Sequence, residues 1–156
     1  MGVLLTAADI VELAMELESS GEAFYRAVAR DLQSSQVQEV FADLAEQEAR
    51  HREVFAELHE ALRDKPLMSA DEWDEYMGYL QATIRSAFFE GADKALAVAA
   101  EVTESRDAVR MAIGFEKETL LFFYDLRDIV AAGARSVIDE VITEEKKHLR
   151  RLATML

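Results

Sequence analysis

The sequence predicts an all-α protein: a four-helix bundle made of two antiparallel helical hairpins, joined by a long, partly helical crossover between the second and third long helices. Three observations predict it. One proline (Pro66) and six glycines leave few helix interruptions in 156 residues. Apolar residues recur at spacings of three, four and seven, the period of a buried helix face. The two ends of the chain also repeat each other. Phe41–His51 echoes Ile138–His148, and Glu18–Tyr25 echoes Glu116–Phe123.

The first helix is expected over Ala7–Asp31, capped by Thr6 with Asp9 and buried along Leu13, Leu17, Phe24, Val28 and Leu32. Gln33–Ser34–Ser35 is a short polar break, which favours an antiparallel neighbour. The second helix is expected over Gln36–Arg63, with Val40, Leu44, Phe55, Leu58 and Leu62 inward, and Asp64–Lys65–Pro66 ends it. Ser69 with Glu72 resembles a capping box for a shorter helix running to Glu90. Gly91 interrupts it, and an alanine-rich stretch, Lys94–Ala100, follows. The third long helix is expected over Arg106–Ala131, ended by Gly133, and the fourth from Arg135 to the C-terminus. The whole, residues 1–156, reads as one domain: hairpin 6–63, crossover 64–104, hairpin 105–156.

Composition narrows the chemistry. The chain has no cysteine, which excludes disulfides, thiolate nucleophiles, cysteine-ligated iron–sulfur clusters and cysteine-based zinc sites. A formal net charge of −14 argues against a nucleic-acid partner and suits cations. No apolar run is long enough to span a membrane, and Met1–Asp31 has no basic leader, so a cytoplasmic location is expected.

The repeat carries two Glu-x-x-His units, Glu48–His51 and Glu145–His148. Glu and His three residues apart share a helix face and can reach one ion. Each unit follows an upstream glutamate, Glu18 or Glu116. With a turn near Ser34 and a rise of roughly 1.5 Å per residue, Glu18 and Glu48 both lie about 20–25 Å from the turn. They therefore face each other, and Glu116 and Glu145 do the same within about a helical turn. Four carboxylates and two imidazoles, brought together, balance two divalent ions, and hard oxygen donors with imidazole suit iron or manganese. Tyr25 sits seven residues after Glu18, with Phe123 in the matching place. It either packs in the core or hydrogen-bonds a liganding carboxylate. His59 lies outside the repeat and reads as a surface histidine. Trp73, Tyr76, Met77 and Tyr79 either cover the bundle or form a partner interface.

The set Glu18, Glu48-x-x-His51, Glu116, Glu145-x-x-His148 resembles the di-iron carboxylate motif of ferritin-like proteins, most closely the rubrerythrin branch. The resemblance covers nearly the whole chain. It implies a ferritin-like bundle in which Glu48 and Glu145 bridge two iron ions (manganese or a mixed Mn/Fe pair fits the same donors). Glu18 and Glu116 would be terminal ligands, and His51 and His148 would each complete one metal. It implies reduction of hydrogen peroxide or dioxygen by Fe(II), with an outside donor restoring the electrons. Typical rubrerythrins carry a cysteine-rich rubredoxin-like domain for that step; this chain has no cysteine, so a separate electron-donor protein is expected. Many also carry an extra glutamate one turn after the helix-three ligand, which exchanges with redox state. Here that position is Thr119, and Glu118 points about 100° away. Two other readings use the same residues. One is ferroxidation and iron handling in a larger assembly. The other is a non-enzymatic helical binding module with a structural metal. A homo-oligomer is expected, with a dimer favoured.

Overall fold

The computed structural model describes residues 4–83 and 90–156. Four long helices form the bundle: α1 (Ala7–Asp31), α2 (Ser35–Leu62), α5 (Ser105–Ile129) and α6 (Ala132–Ala153), with α3 (Ala70–Thr83) and α4 (Ala92–Glu101) between the hairpins. α1 packs most extensively on α2, and α5 on α6. The hairpins meet where α1 faces α5 and α2 faces α6. Among the described residues no helix is long and apolar enough to cross a membrane.

Local chemistry sets most boundaries. The Asp9 carboxylate accepts from the Thr6 backbone N–H (2.6 Å) and hydroxyl (2.9 Å), which fixes the start of α1. Leu32 leaves the helix in an extended conformation, and the Ser34 hydroxyl caps α2 by accepting from the Val37 N–H. The Gln38 amide donates to the Leu32 carbonyl at 2.7 Å and braces this turn. At α3 the Glu72 carboxylate accepts from both the N–H and the hydroxyl of Ser69. Residues 84–89, within the helix expected to run to Glu90, lie outside the described residues.

Two features differ from the sequence expectation. Leu4–Thr6 (β1) and Pro66–Ser69 (β2) pair as a short antiparallel ribbon, with Leu5 opposite Met68. The antiparallel α1–α2 pair brings its open ends together, and the Ala7 N–H donates to the Lys65 carbonyl at 2.9 Å. The flanking backbone then pairs because it already lies alongside. The second difference is the turn between α5 and α6. Gly133 does not end α5, which stops at Ile129; Val130 and Ala131 are extended, and Gly133 falls in the first turn of α6.

Gly91 does mark a break. Its φ of 104° lies in the region that side chains disfavour, and it begins α4. α4 lies along α1 through Ala95 and Ala99, whose spacing puts two methyl groups on one face and lets the helices approach closely. Of the crossover aromatics, Trp73 and Tyr76 are half-buried, with Met77, against the core, and Tyr79 is exposed. Most of this face therefore covers the bundle.

The core is layered along the bundle axis. Tyr25, Phe41 and Phe115 form one aromatic layer, with ring centroids 5.2 Å apart for Tyr25–Phe41 and 6.2 Å for Tyr25–Phe115. Phe55 and Phe123, 5.0 Å apart, form another. On α2, Phe41 lies two turns before Glu48 and Phe55 two turns after it, so a polar layer sits between the two aromatic ones.

Candidate metal centre

The polar layer consists of Glu18 on α1, Glu48 and His51 on α2, Glu116 on α5, and Glu145 and His148 on α6. All six are buried. Burying four carboxylates together is costly unless something positive offsets them. His51 and His148, even when both are protonated, would offset only two of the four charges. Both oxygens of Glu18 and of Glu48, and one each of Glu116 and Glu145, have no hydrogen-bond partner. Native interiors rarely leave such atoms unsatisfied.

The donor atoms fall into two overlapping sets of four. Glu18, Glu48, His51 and Glu145 form one, and Glu48, Glu116, Glu145 and His148 the other. Within each set the donor atoms lie within 4.8 Å of one another. Glu48 and Glu145 belong to both. Each set could hold one metal ion, with the shared carboxylates between the two. Four carboxylates balance two divalent ions, so the donors fit such a pair in number, charge and chemistry. Every metal-ligand candidate read from the sequence is at this centre. His59 is half-buried outside it.

The histidines are oriented from behind. His51 Nε2 lies 2.7 Å from a Glu144 carboxylate oxygen, and His148 Nε2 lies 2.8 Å from the Gln47 side-chain oxygen. Both partners are acceptors, so each Nε2 carries the hydrogen and donates it. The Gln47 orientation is fixed because its NH2 donates to Asp43 at 2.8 Å, and Asp43 is itself held by Arg151. Arg151 also holds the Asp43 carboxyl below its usual pKa. In the neutral rings the Nδ1 lone pairs are left facing the carboxylates. His51 Nδ1 is 2.8 Å from Glu145 Oε1 and 3.8 Å from Glu18 Oε1. His148 Nδ1 is 2.8 Å from Glu145 Oε2, 3.3 Å from Glu48 Oε1 and 3.6 Å from Glu116 Oε1. The two rings stack with centroids 5.4 Å apart.

Without cations the acids and imidazoles share protons. Burial, then the charges of Glu48 and Glu145, pushes the Glu18 carboxyl well above the carboxylate range. Glu116 rises for the same reasons. Burial works against the charged form of His51, but hydrogen bonding to Glu145 and the surrounding carboxylates outweigh it and raise its pKa from 6.5 to about 9. His148 is pushed up further, against burial, by Glu116, Glu145 and Glu48. Burial would raise Glu145 too, yet its contacts with His148 and His51 bring it below the usual range.

Tyr25 is buried, and its hydroxyl donates to Glu116 Oε1 on the opposite hairpin. Burial and the neighbouring carboxylates push the phenol pKa well up, so it stays a donor. Phe123, its counterpart in the repeat, can make no such bond. Thr119 is fully buried one turn beyond Glu116, and its hydroxyl has no partner. Gly21, the counterpart of Thr119, makes room instead. A Cβ there would lie 2.8 Å from the Phe115 ring, so glycine lets that ring lie on α1 beside Glu48. Sequence reasoning missed Gln47 and Glu144. The usable signal was their identical place in the repeat, one residue before Glu48 and Glu145.

The rubrerythrin family model matches residues 9–156. A crystal structure from Thermotoga maritima, provisionally described as a ferritin-like diiron-carboxylate protein, is 26% identical and has a TM-score of 0.69. The match covers 99% of this chain and 97% of that one. No curated protein matches. A matching family model over nearly the whole length, a ferritin-like bundle and a buried cluster of four glutamates and two histidines agree with one another: the chain belongs to the rubrerythrin family.

Proposed function

We propose that this protein is a di-iron oxidoreductase that reduces hydrogen peroxide or dioxygen and is recharged by a separate electron-donor protein. The observation that carries this reading is the pair of overlapping four-residue sets that share Glu48 and Glu145. In it, Glu48 and Glu145 would serve both ions, Glu18 and His51 would hold one of them, and Glu116 and His148 would hold the other. Bound iron supplies one electron from each Fe(II) to the oxidant; manganese, alone or paired with iron, fits the same donors.

The rest is the work of the chain. Glu144 and Gln47 keep the Nε2 hydrogens pointing away from the centre, so that each Nδ1 is free to ligate. The aromatic layers of Tyr25, Phe41 and Phe115 and of Phe55 and Phe123 exclude water above and below. Tyr25 holds a proton against Glu116, and Thr119 offers a hydroxyl with no other use. The chain contains no cysteine, so electrons cannot come from a thiolate-ligated iron within these residues. A homodimer is the assembly this reading carries. A closed shell, detected by light scattering, would favour iron storage instead.

The test is anaerobic Fe(II) loading followed by stopped-flow mixing with hydrogen peroxide and, separately, dioxygen. The expected result is two irons per chain and rapid oxidation by at least one oxidant. Two bound irons that neither oxidant attacks quickly would leave a structural metal site and remove the redox reading.

A further inference from the structure

Each hairpin supplies two glutamates and one histidine, but the two trios are surrounded differently. His51 is backed by a carboxylate, Glu144, at 2.7 Å, whereas His148 is backed by a neutral amide, Gln47, at 2.8 Å. An imidazole whose N–H points at a carboxylate becomes a stronger donor through its other nitrogen, and an amide oxygen does this less. Glu144 is about half exposed, with 49% of its side chain accessible. Solvent therefore weakens its charge, but the hydrogen bond remains.

The terminal glutamates differ in the same direction. Glu116 gives up part of its charge to the Tyr25 hydroxyl, whereas neither oxygen of Glu18 has a hydrogen-bond partner. Glu18 and His51 belong to one set and Glu116 and His148 to the other. One set therefore holds both better donors, and the other holds both weaker ones.

We propose that Glu144 and Tyr25 are positioning residues that make the two metal positions unequal, with the Glu18–His51 position binding a divalent cation first and more tightly than the Glu116–His148 position. This rests on the di-metal reading above and adds an order of filling that the ligand set alone does not give. Neither residue belongs to either donor set. Glu144 acts through His51, and Tyr25 acts through Glu116.

The probe is cobalt(II), titrated anaerobically into metal-free protein and followed by its visible spectrum, together with a crystal grown at one equivalent. Two binding steps are expected, and the anomalous peak at one equivalent lies between Glu18 and His51. Glu144→Gln, which puts behind His51 the same amide that backs His148, weakens the first step by about 10-fold, the low end of the cost of altering a partner behind a ligating histidine, and leaves the second unchanged. Tyr25→Phe makes Glu116 resemble Glu18 and narrows the gap between the steps. Two ions binding without preference, the Glu116–His148 position filling first, Glu144→Gln weakening both steps alike or neither, or Tyr25→Phe widening the gap would each overturn the proposal while leaving the di-metal site intact. A protein that binds fewer than two ions overturns both.

Discussion

The N-terminal hairpin (α1, α2) and the C-terminal hairpin (α5, α6) agree at the centre and diverge one layer out. Glu18 matches Glu116, Glu48 matches Glu145, and His51 matches His148. Just behind them, Tyr25 stands against Phe123, Gln47 against Glu144, and Gly21 against Thr119. The agreement gives each of the two donor sets a glutamate and a histidine of its own beside the shared Glu48 and Glu145. The divergence is not random with respect to structure. Each differing pair changes a hydrogen bond to the cluster or a close contact beside it.

The largest effects are expected at the residues that both donor sets share. Glu48→Ala or Glu145→Ala should abolish binding of both ions, because each carboxylate belongs to both sets. Glu18→Ala or Glu116→Ala should remove one ion and leave the other. Metal analysis after equilibrium dialysis reads the difference directly. A protein that keeps two ions without Glu48 would show that the halves are not joined there.

Exchanging the non-equivalent small residues tests packing. Gly21→Thr gives the first hairpin the residue of the second and drives a Cβ to 2.8 Å from the buried Phe115 ring. Overpacking of this kind costs about 1–3 kcal/mol, measurable by urea unfolding. Thr119→Gly should cost only about 0.3 kcal/mol through lost helix propensity, because threonine is already a poor helix former. Equal costs for the two would mean that Phe115 moves aside freely.

Tyr25→Phe removes the hydroxyl that the second hairpin lacks. Loss of its bond to Glu116 should lower metal-free stability by about 1 kcal/mol. The pH response is gentler and common to both halves. His51 binds its proton more tightly folded than unfolded, with its pKa raised from 6.5 to about 9. That stabilisation is fully present below pH 6.5 and is lost as pH rises through 9. The raised Glu18 and Glu116 carboxyls act in the same sense, losing stability as pH climbs above 4.5. Metal binding runs the other way because ions compete with these protons. Melting temperatures should therefore fall from pH 6.5 to 9 in metal-free protein and separate increasingly from those of the loaded form. A metal-free protein that gains stability over that interval would contradict the assignment.

Much of this is legible in the sequence. α1 begins at Ala7 and ends at Asp31 because Thr6, Asp9 and the break before Ser34 are local signals that local physics obeys. The six central residues can be found because helix rise is constant, so counting from a turn gives height in the bundle. The β1–β2 ribbon is not legible: strands of three and four residues show no alternation, and their pairing follows from closure of a hairpin about sixty residues long. Gly133 misleads because α5 ends in extended backbone rather than in a left-handed glycine cap. Glu144 and Gln47 stay hidden because each touches a histidine on the other hairpin, and the rotation of one hairpin against the other is not written in either alone.

Two ions held between the hairpins and sharing Glu48 and Glu145 would be visible in a crystal of the iron-loaded protein, measured at the iron absorption edge. Two anomalous peaks are predicted, one beside Glu18 and His51 and the other beside Glu116 and His148, both in contact with Glu48 and Glu145. A single peak, or iron bound elsewhere on the acidic surface, would contradict that arrangement.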